Sequence, residues 1–227
     1  MKHLNSFKGF LLTLLLACTS TVFAHDFEVD GIYYNILSET EKTVEVAGAN
    51  DDYSYIRIPE SVTYNNATYK VVSIGKKAFY EYKISKIIIP NSVTKIGEQA
   101  FFFCHGLTDI EIGKGGGESV EYQAFVACNE VQRIYIEDLA AWCNIEFYDY
   151  TSHPAYFENY TTDLYLNNKL ITGIDIPEGV TEIKDYVFYN CGIGGVRFPS
   201  TVKSIGANVF GFYPEKRLLQ NSNQTQV

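Results

Sequence analysis

Basic side chains are scarce: 18 Lys and Arg stand against 27 Asp and Glu, for a net charge of −9 over 227 residues. An acidic surface repels phosphate backbones and anionic membranes, so neither nucleic acid nor acidic lipid is an expected partner. Histidine is scarcer still. His3, His25, His105 and His153 are scattered without ligand-like spacing to Cys or Asp, so no metal is expected. Neither a nucleophile elbow nor a zinc-protease motif occurs. The glycine run Gly115-Gly116-Gly117 lacks the Gly-Lys-Ser/Thr ending of a phosphate loop, so it is taken as a flexible turn and no cofactor is expected. A Cys143–His153 dyad is conceivable, but a loop cysteine near a histidine arises often by chance, and the chain is expected not to be an enzyme. After residue 24 no apolar run is long enough for a transmembrane helix.

The one apolar run lies at the start. Lys2 and Lys8 precede Phe10 to Ala17, and Val22-Phe23-Ala24 offers a small-residue cleavage site, so residues 1–24 form an expected signal peptide with His25 as the new N-terminus. Leu15-Leu16-Ala17-Cys18 also resembles a bacterial lipobox, which leaves a lipid anchor at Cys18 as the alternative. Removing Lys2 and Lys8 leaves 16 basic against 27 acidic side chains, a net charge of −11.

What the sequence has in abundance is a repeat. Ile84 to Gly106 has the skeleton apolar-x-x-Ile-x-Ile-Pro-x-Ser-Val-x-x-Ile-Gly-x-x-Ala-Phe-x-x-Cys. Ile87 and Ile89 share one face of a strand and point inward, while Ile88 points out. Pro90 cannot donate to a ladder and ends the strand. Val93 and Ile96 mark a second extended segment, Gly97 a turn, and Ala100, Phe101 and Cys104 fill the core. The skeleton returns at 22 to 24 residues, from Phe79 to Phe101 to Phe125 and from Phe188 to Phe210. One such unit cannot bury its own apolar face, and stacked units can.

This pattern resembles the BspA-like leucine-rich repeats of surface and secreted bacterial proteins, over roughly residues 27 to 213. The resemblance implies a mainly β fold with short helical turns: a single right-handed leucine-rich repeat solenoid of about six rungs with an N-terminal β cap. The cap is expected over 25–55, from the alternation of Phe27, Val29, Ile32, Tyr34 and Ile36 around an Asp30-Gly31 hairpin and from Val44 and Val46. The solenoid is expected over 56–213, with a protruding hairpin near Tyr64 to Lys70. An oversized rung carries an insertion at 137–169. Within it, Leu139 to Cys143 suggest a short helix. Leu164 to Ile171 suggest a hairpin turning at Asn167-Asn168. Residues 214–227 are an expected tail. The sequons at Asn66, Asn159 and Asn223 are expected to stay bare in a bacterial product.

Cys104, Cys128 and Cys191 share one column after the Phe. Rungs about 4.8 Å apart place inward Cβ atoms slightly beyond disulfide range, so core thiols are expected over a Cys104–Cys128 disulfide. For binding, two sets stand out. The outward strand positions Arg57, Ile88, Glu111, Tyr135, Asp175 and Arg197 form a candidate face. Trp142, Tyr148, Tyr150, Tyr156 and Tyr160 form a candidate aromatic insertion, although such rings also serve to cover an oversized rung. The expected function is a secreted or cell-surface interaction protein binding an extracellular protein, with adhesion implied for some of the resembling family. The alternative is a glycan-binding module using the aromatic insertion.

Overall fold

A computed structural model describes residues 25–50, 54–114, 118–156 and 161–211. The expected signal peptide with Cys18, the glycine run, Tyr160 and the tail 214–227 lie outside the described residues.

Strands β1 (Phe27–Val29), β2 (Ile32–Ser38) and β3 (Thr43–Ala49) form an antiparallel meander. Asp30 and Gly31 at φ of 50° and 73° make its first turn. Two successive left-handed residues match the right-handed twist of the strands they join. β3 then pairs in parallel with a strand of the first rung, so the cap continues one sheet of the solenoid. Its side chains Phe27, Tyr34, Val44 and Val46 are buried against the first rung.

The first rung holds β4 (Tyr55–Arg57), β5 (Ser61–Tyr64) and β6 (Ala67–Ile74). β5 and β6 form the expected hairpin, turning at Asn65-Asn66. The next rungs are β7 (Lys86–Ile89) with β8 (Lys95–Ile96), and β9 (Asp109–Ile112) with β10 (Ser119–Val120). The fourth is larger: β11 (Arg133–Ile136), helix α1 (Leu139–Cys143), β12 (Glu146–Phe147), β13 (Asp163–Leu166) and β14 (Lys169–Leu170). The last two are β15 (Ile174–Asp175) with β16 (Glu182–Ile183), and β17 (Val196–Arg197) with β18 (Ser204–Ile205). The architecture is a mainly β solenoid of about six turns with very little helix.

Two sheets result. The front sheet runs β4, β7, β9, β11 and β13 in parallel, closed by antiparallel β14. The back sheet runs β3, β6, β8, β10 and β12 in parallel. β15 with β17, and β16 with β18, form separate short pairs. The register stacks Ile56, Ile87, Ile110, Ile134 and Leu164 in one inward column. All five are buried.

Within residues 137–169 of this rung, β12 and β13 add one strand to each sheet. Helix α1 and the turn at Asn167-Asn168 occur where the sequence placed them. Asp138 caps α1, accepting from Ala140 N at 2.9 Å and Ala141 N at 3.1 Å.

A third ladder lies between the sheets, on the turn side. Phe79 N donates to Ala100 O at 2.8 Å, Phe101 N to Ala124 O at 2.8 Å, and Phe188 N to Val209 O at 2.9 Å. Phe79, Phe101 and Phe125 stack with centroids 5.2 and 4.9 Å apart. Cys104 and Cys128 are free and buried, and their thiols donate to Phe79 O and Phe101 O, each at 3.0 Å. A thiol here satisfies a backbone acceptor of the preceding turn, which a disulfide would forfeit. Gly97 serves close stacking: a Cβ there would lie 2.8 Å from Gly75 C and Lys76 N of the preceding rung.

Phe198, Ile205 and Phe210 are 43%, 49% and 39% exposed, whereas Ile176, Ile183 and Phe188 one rung earlier are 4%, 0% and 1% exposed.

Candidate functional site: the outer face of the front sheet

Alternate residues of the front strands point away from the core. Register fixes two outward columns. One carries Tyr55, Lys86, Asp109, Arg133 and Asp163; the other carries Arg57, Ile88, Glu111, Tyr135 and Tyr165. Arg57, Ile88, Glu111 and Tyr135 thus stand side by side. Asp175 and Arg197 do not join them: they face each other on the separate β15–β17 pair.

The mixed charges neutralise one another. Arg133 grips Asp109 with two bonds, at 2.6 and 2.7 Å. That bidentate contact holds the Asp109 carboxyl below the usual carboxylate range. Arg197 holds Asp175 the same way, at 2.5 and 2.8 Å, though both are well exposed and the pair adds little stability. Lys86 Nζ lies 3.1 Å from Glu111 and 5.4 Å from the centre of the Tyr135 ring. Tyr135 stacks on Tyr165 with centroids 4.8 Å apart, and burial, then the Asp109 charge, push the Tyr135 hydroxyl pKa up.

Ile88 corrects an expectation. It points outward, apart from the main core cluster, yet it is only 6% exposed. It floors a depression of about 310 Å³ that Arg57, Glu60, Asn91, Glu111 and Glu137 also line. Side chains of the flanking strands rise on either side of it, so a ligand meets Arg57 and Glu111 before it meets Ile88. The sequence places Tyr165 in a hairpin arm and not on this face. Leu164-Tyr165-Leu166 repeats the apolar-x-apolar strand signal of Ile134 to Ile136, and that was the clue.

A family model described as the BspA type leucine rich repeat region matches residues 51–142 and 72–213, in six copies. The chain belongs to the BspA-type leucine-rich repeat family. No curated protein matches the sequence. Among solved structures it is similar to a leucine-rich repeat protein from Bacteroides capillosus, at 26% identity over 62% of this chain and 97% of that one, with a TM-score of 0.51. A leucine-rich repeat protein from Bacteroides ovatus is 27% identical over 81% of this chain and 56% of that one, with a TM-score of 0.45. A leucine rich repeat protein of T. pallidum is 20% identical over 87% and 94%, with a TM-score of 0.49.

The second candidate set of this BspA-type chain divides. Trp142 is not a surface ring. It is 2% exposed, and its Nε1 donates to Val187 O at 2.9 Å. The fourth rung lacks the Ala-Phe-x-x-Cys turn, so it brings no backbone ladder to Val187, and the indole supplies a donor instead. Tyr148 and Tyr150 are surface rings, 66% and 39% exposed, and Tyr156 is half-buried. The Cys143–His153 pair is unsuited to catalysis. Both are fully buried. Burial pushes the Cys143 thiol up to about 12 and the His153 imidazole down to about 3. An activated pair needs the opposite shifts, toward thiolate and imidazolium. No group of three or more metal-ligating side chains occurs among the described residues.

Proposed function

We propose that this repeat protein is a secreted or cell-surface, non-catalytic module that binds another extracellular protein through the outer face of its front sheet. Adhesion is one use of such a module. The observation that supports the reading is the continuous column Arg57–Ile88–Glu111–Tyr135–Tyr165, with the Ile88 depression at one end and stacked tyrosines at the other. Tyrosine and arginine with an apolar centre are the composition of protein interfaces, and the paired charges around them form a polar rim. Export rests on residues 1–24, which carry a basic start, an apolar stretch and a small-residue cleavage site.

The test is direct binding of the mature protein to a panel of purified extracellular proteins. At least one should bind, and Tyr165→Ala or Arg57→Ala should weaken it by about 10-fold or more, the scale of an interface hot spot. Binding to none, or binding that both substitutions leave unchanged, rejects the reading. Mass spectrometry of the exported chain separates a His25 terminus from a lipidated Cys18.

A further inference from the structure

A second surface lies where the back strands pass into the turns. There, from the second rung on, the solenoid stacks Gln99, Gln123, Tyr150, Tyr186 and Asn208 in one row, each the third residue after a back strand ends; the first-rung member of the row is Lys77. Gln99 Nε2 donates to Gln123 Oε1 at 2.8 Å, and Tyr150 lies 6.5 Å from Tyr186 between ring centroids. Tyr122 and Tyr148 flank the row, edge-to-face at 5.4 Å, and they are 41% and 66% exposed.

From Gln99 to Asn208 the row carries no charge, in a chain with 18 basic and 27 acidic side chains; the one charged member, Lys77, lies at its first-rung end with its Nζ 5.1 Å from the centre of the Tyr80 ring. Neighbouring charges are already engaged. Asp149 accepts from Thr151 N and Oγ1, and Asp185 accepts from Ala207 N. Lys95 pairs with Glu121, and Lys184 with Glu146 and Glu182. Four of the five residues from Gln99 to Asn208 also hold left-handed backbone: Gln99 at φ 56°, Gln123 at 57°, Tyr186 at 65° and Asn208 at 50°. Glycine or asparagine is favoured in that conformation, so the glutamines and the tyrosine sit there at a conformational cost. Gln99, Gln123 and Asn208 lie outside the core cluster, whereas Tyr186 packs, half-buried, against it.

We infer that this row is a binding strip for a neutral glycan chain. A neutral sugar presents a C–H face that stacks on an aromatic ring and hydroxyls that both donate and accept. Tyrosine supplies a ring with a hydroxyl, and primary amides both donate and accept. Successive rungs lie about 4.8 Å apart, close to the length of one pyranose unit, so a linear glycan can place about one sugar on each rung. The strip is a single side chain wide with flanking rings, a shape that suits a chain more than a globular partner. It lies off the front sheet, so its failure and that of the protein-binding face are separable.

The experiment is native electrophoresis of the mature protein in gels containing β-1,4-glucan, β-1,3-glucan, β-1,4-xylan, α-mannan or starch, with polygalacturonate as the acidic control, followed by calorimetry with the hexasaccharide of any neutral glycan that retards it. Retardation by at least one is expected. Tyr150→Ala and Tyr186→Ala should each weaken it by about 10-fold, Tyr148→Ala should weaken it measurably, and Tyr165→Ala on the front sheet should leave it unchanged. If Tyr150→Ala or Tyr186→Ala lowers the melting temperature, Tyr148→Ala decides, because that ring is the most exposed of the set. No retardation in any gel, retardation only by an acidic polysaccharide such as polygalacturonate, or retardation that Tyr148→Ala leaves intact overturns the assignment.

Discussion

The indole of Trp142 reaches the carbonyl of Val187, 45 residues ahead in the chain, at 2.9 Å. In the regular rungs the equivalent acceptor takes a backbone N–H from the turn before it, as Ala100 O does from Phe79 N. The fourth rung has no such turn, and His153 Nε2 lies 3.4 Å from the same oxygen as a second, weaker partner. Two aromatic side chains thus splice the oversized rung onto the regular one that follows.

Trp142→Phe should keep most of the buried ring and remove the donor. An unsatisfied buried carbonyl costs about 1 to 3 kcal/mol, so urea denaturation should show a loss in that range, reduced by whatever His153 supplies. A loss under about 0.5 kcal/mol would show that the splice is packing alone.

Phe101→Ala addresses the regular rungs. Its ring is fully buried between Phe79 and Phe125. Emptying that slot should cost about 3 to 5 kcal/mol by chemical denaturation. A cost below about 1 kcal/mol contradicts the stacked column.

The difference between these two sites explains how much was legible beforehand. Phe101 announces itself, because Ala-Phe recurs at Phe79 and Phe125, and Val-Phe at Phe188 and Phe210, in the same skeleton. Asn167-Asn168 is a local signal of the same kind, with both residues at positive φ. Trp142 has no repeat partner, and its acceptor is a backbone atom far along the chain, so composition marks it equally as a surface ring. β13 was half-legible: Leu164-Tyr165-Leu166 satisfies a hairpin arm and a solenoid strand alike, and it is both. The outward column was found as residues but not as chemistry. That Lys86 pairs with Glu111, and that Ile88 is walled in, depend on side-chain directions across neighbouring strands.

The cysteine column gives a third test. Burial holds the Cys128 thiol pKa well above its ordinary range, with a further push from Cys104 beside it. Thiols that are buried and protonated are poor nucleophiles. Native protein should leave Cys104, Cys128 and Cys143 unlabelled by a thiol reagent over hours, and all three should label in urea. Intact mass without reductant should match the fully reduced chain. A mass two hydrogens lower, mapping to Cys104 with Cys128, would restore the disulfide.

His153 sets a pH dependence. Its Nδ1 accepts from Ala155 N at 3.0 Å, so its remaining proton sits on Nε2, toward Val187 O. Burial lowers its pKa to about 3 in the folded chain, against about 6.5 when unfolded. The neutral ring is the folded form, and the unfolded chain takes up the proton first. Stability is therefore full above about pH 6.5 and falls as pH drops toward the folded value, by about 1.4 kcal/mol per pH unit at most. Asp109, whose pKa is also lowered, loses its contribution only at more acidic pH. Urea midpoints measured from pH 7.5 to pH 5 should decline for the wild type. His153→Phe, which removes the proton-accepting ring, should start from a lower plateau and stay flatter across that window. Equal slopes for the two proteins would show that the imidazole is not held neutral in the folded state.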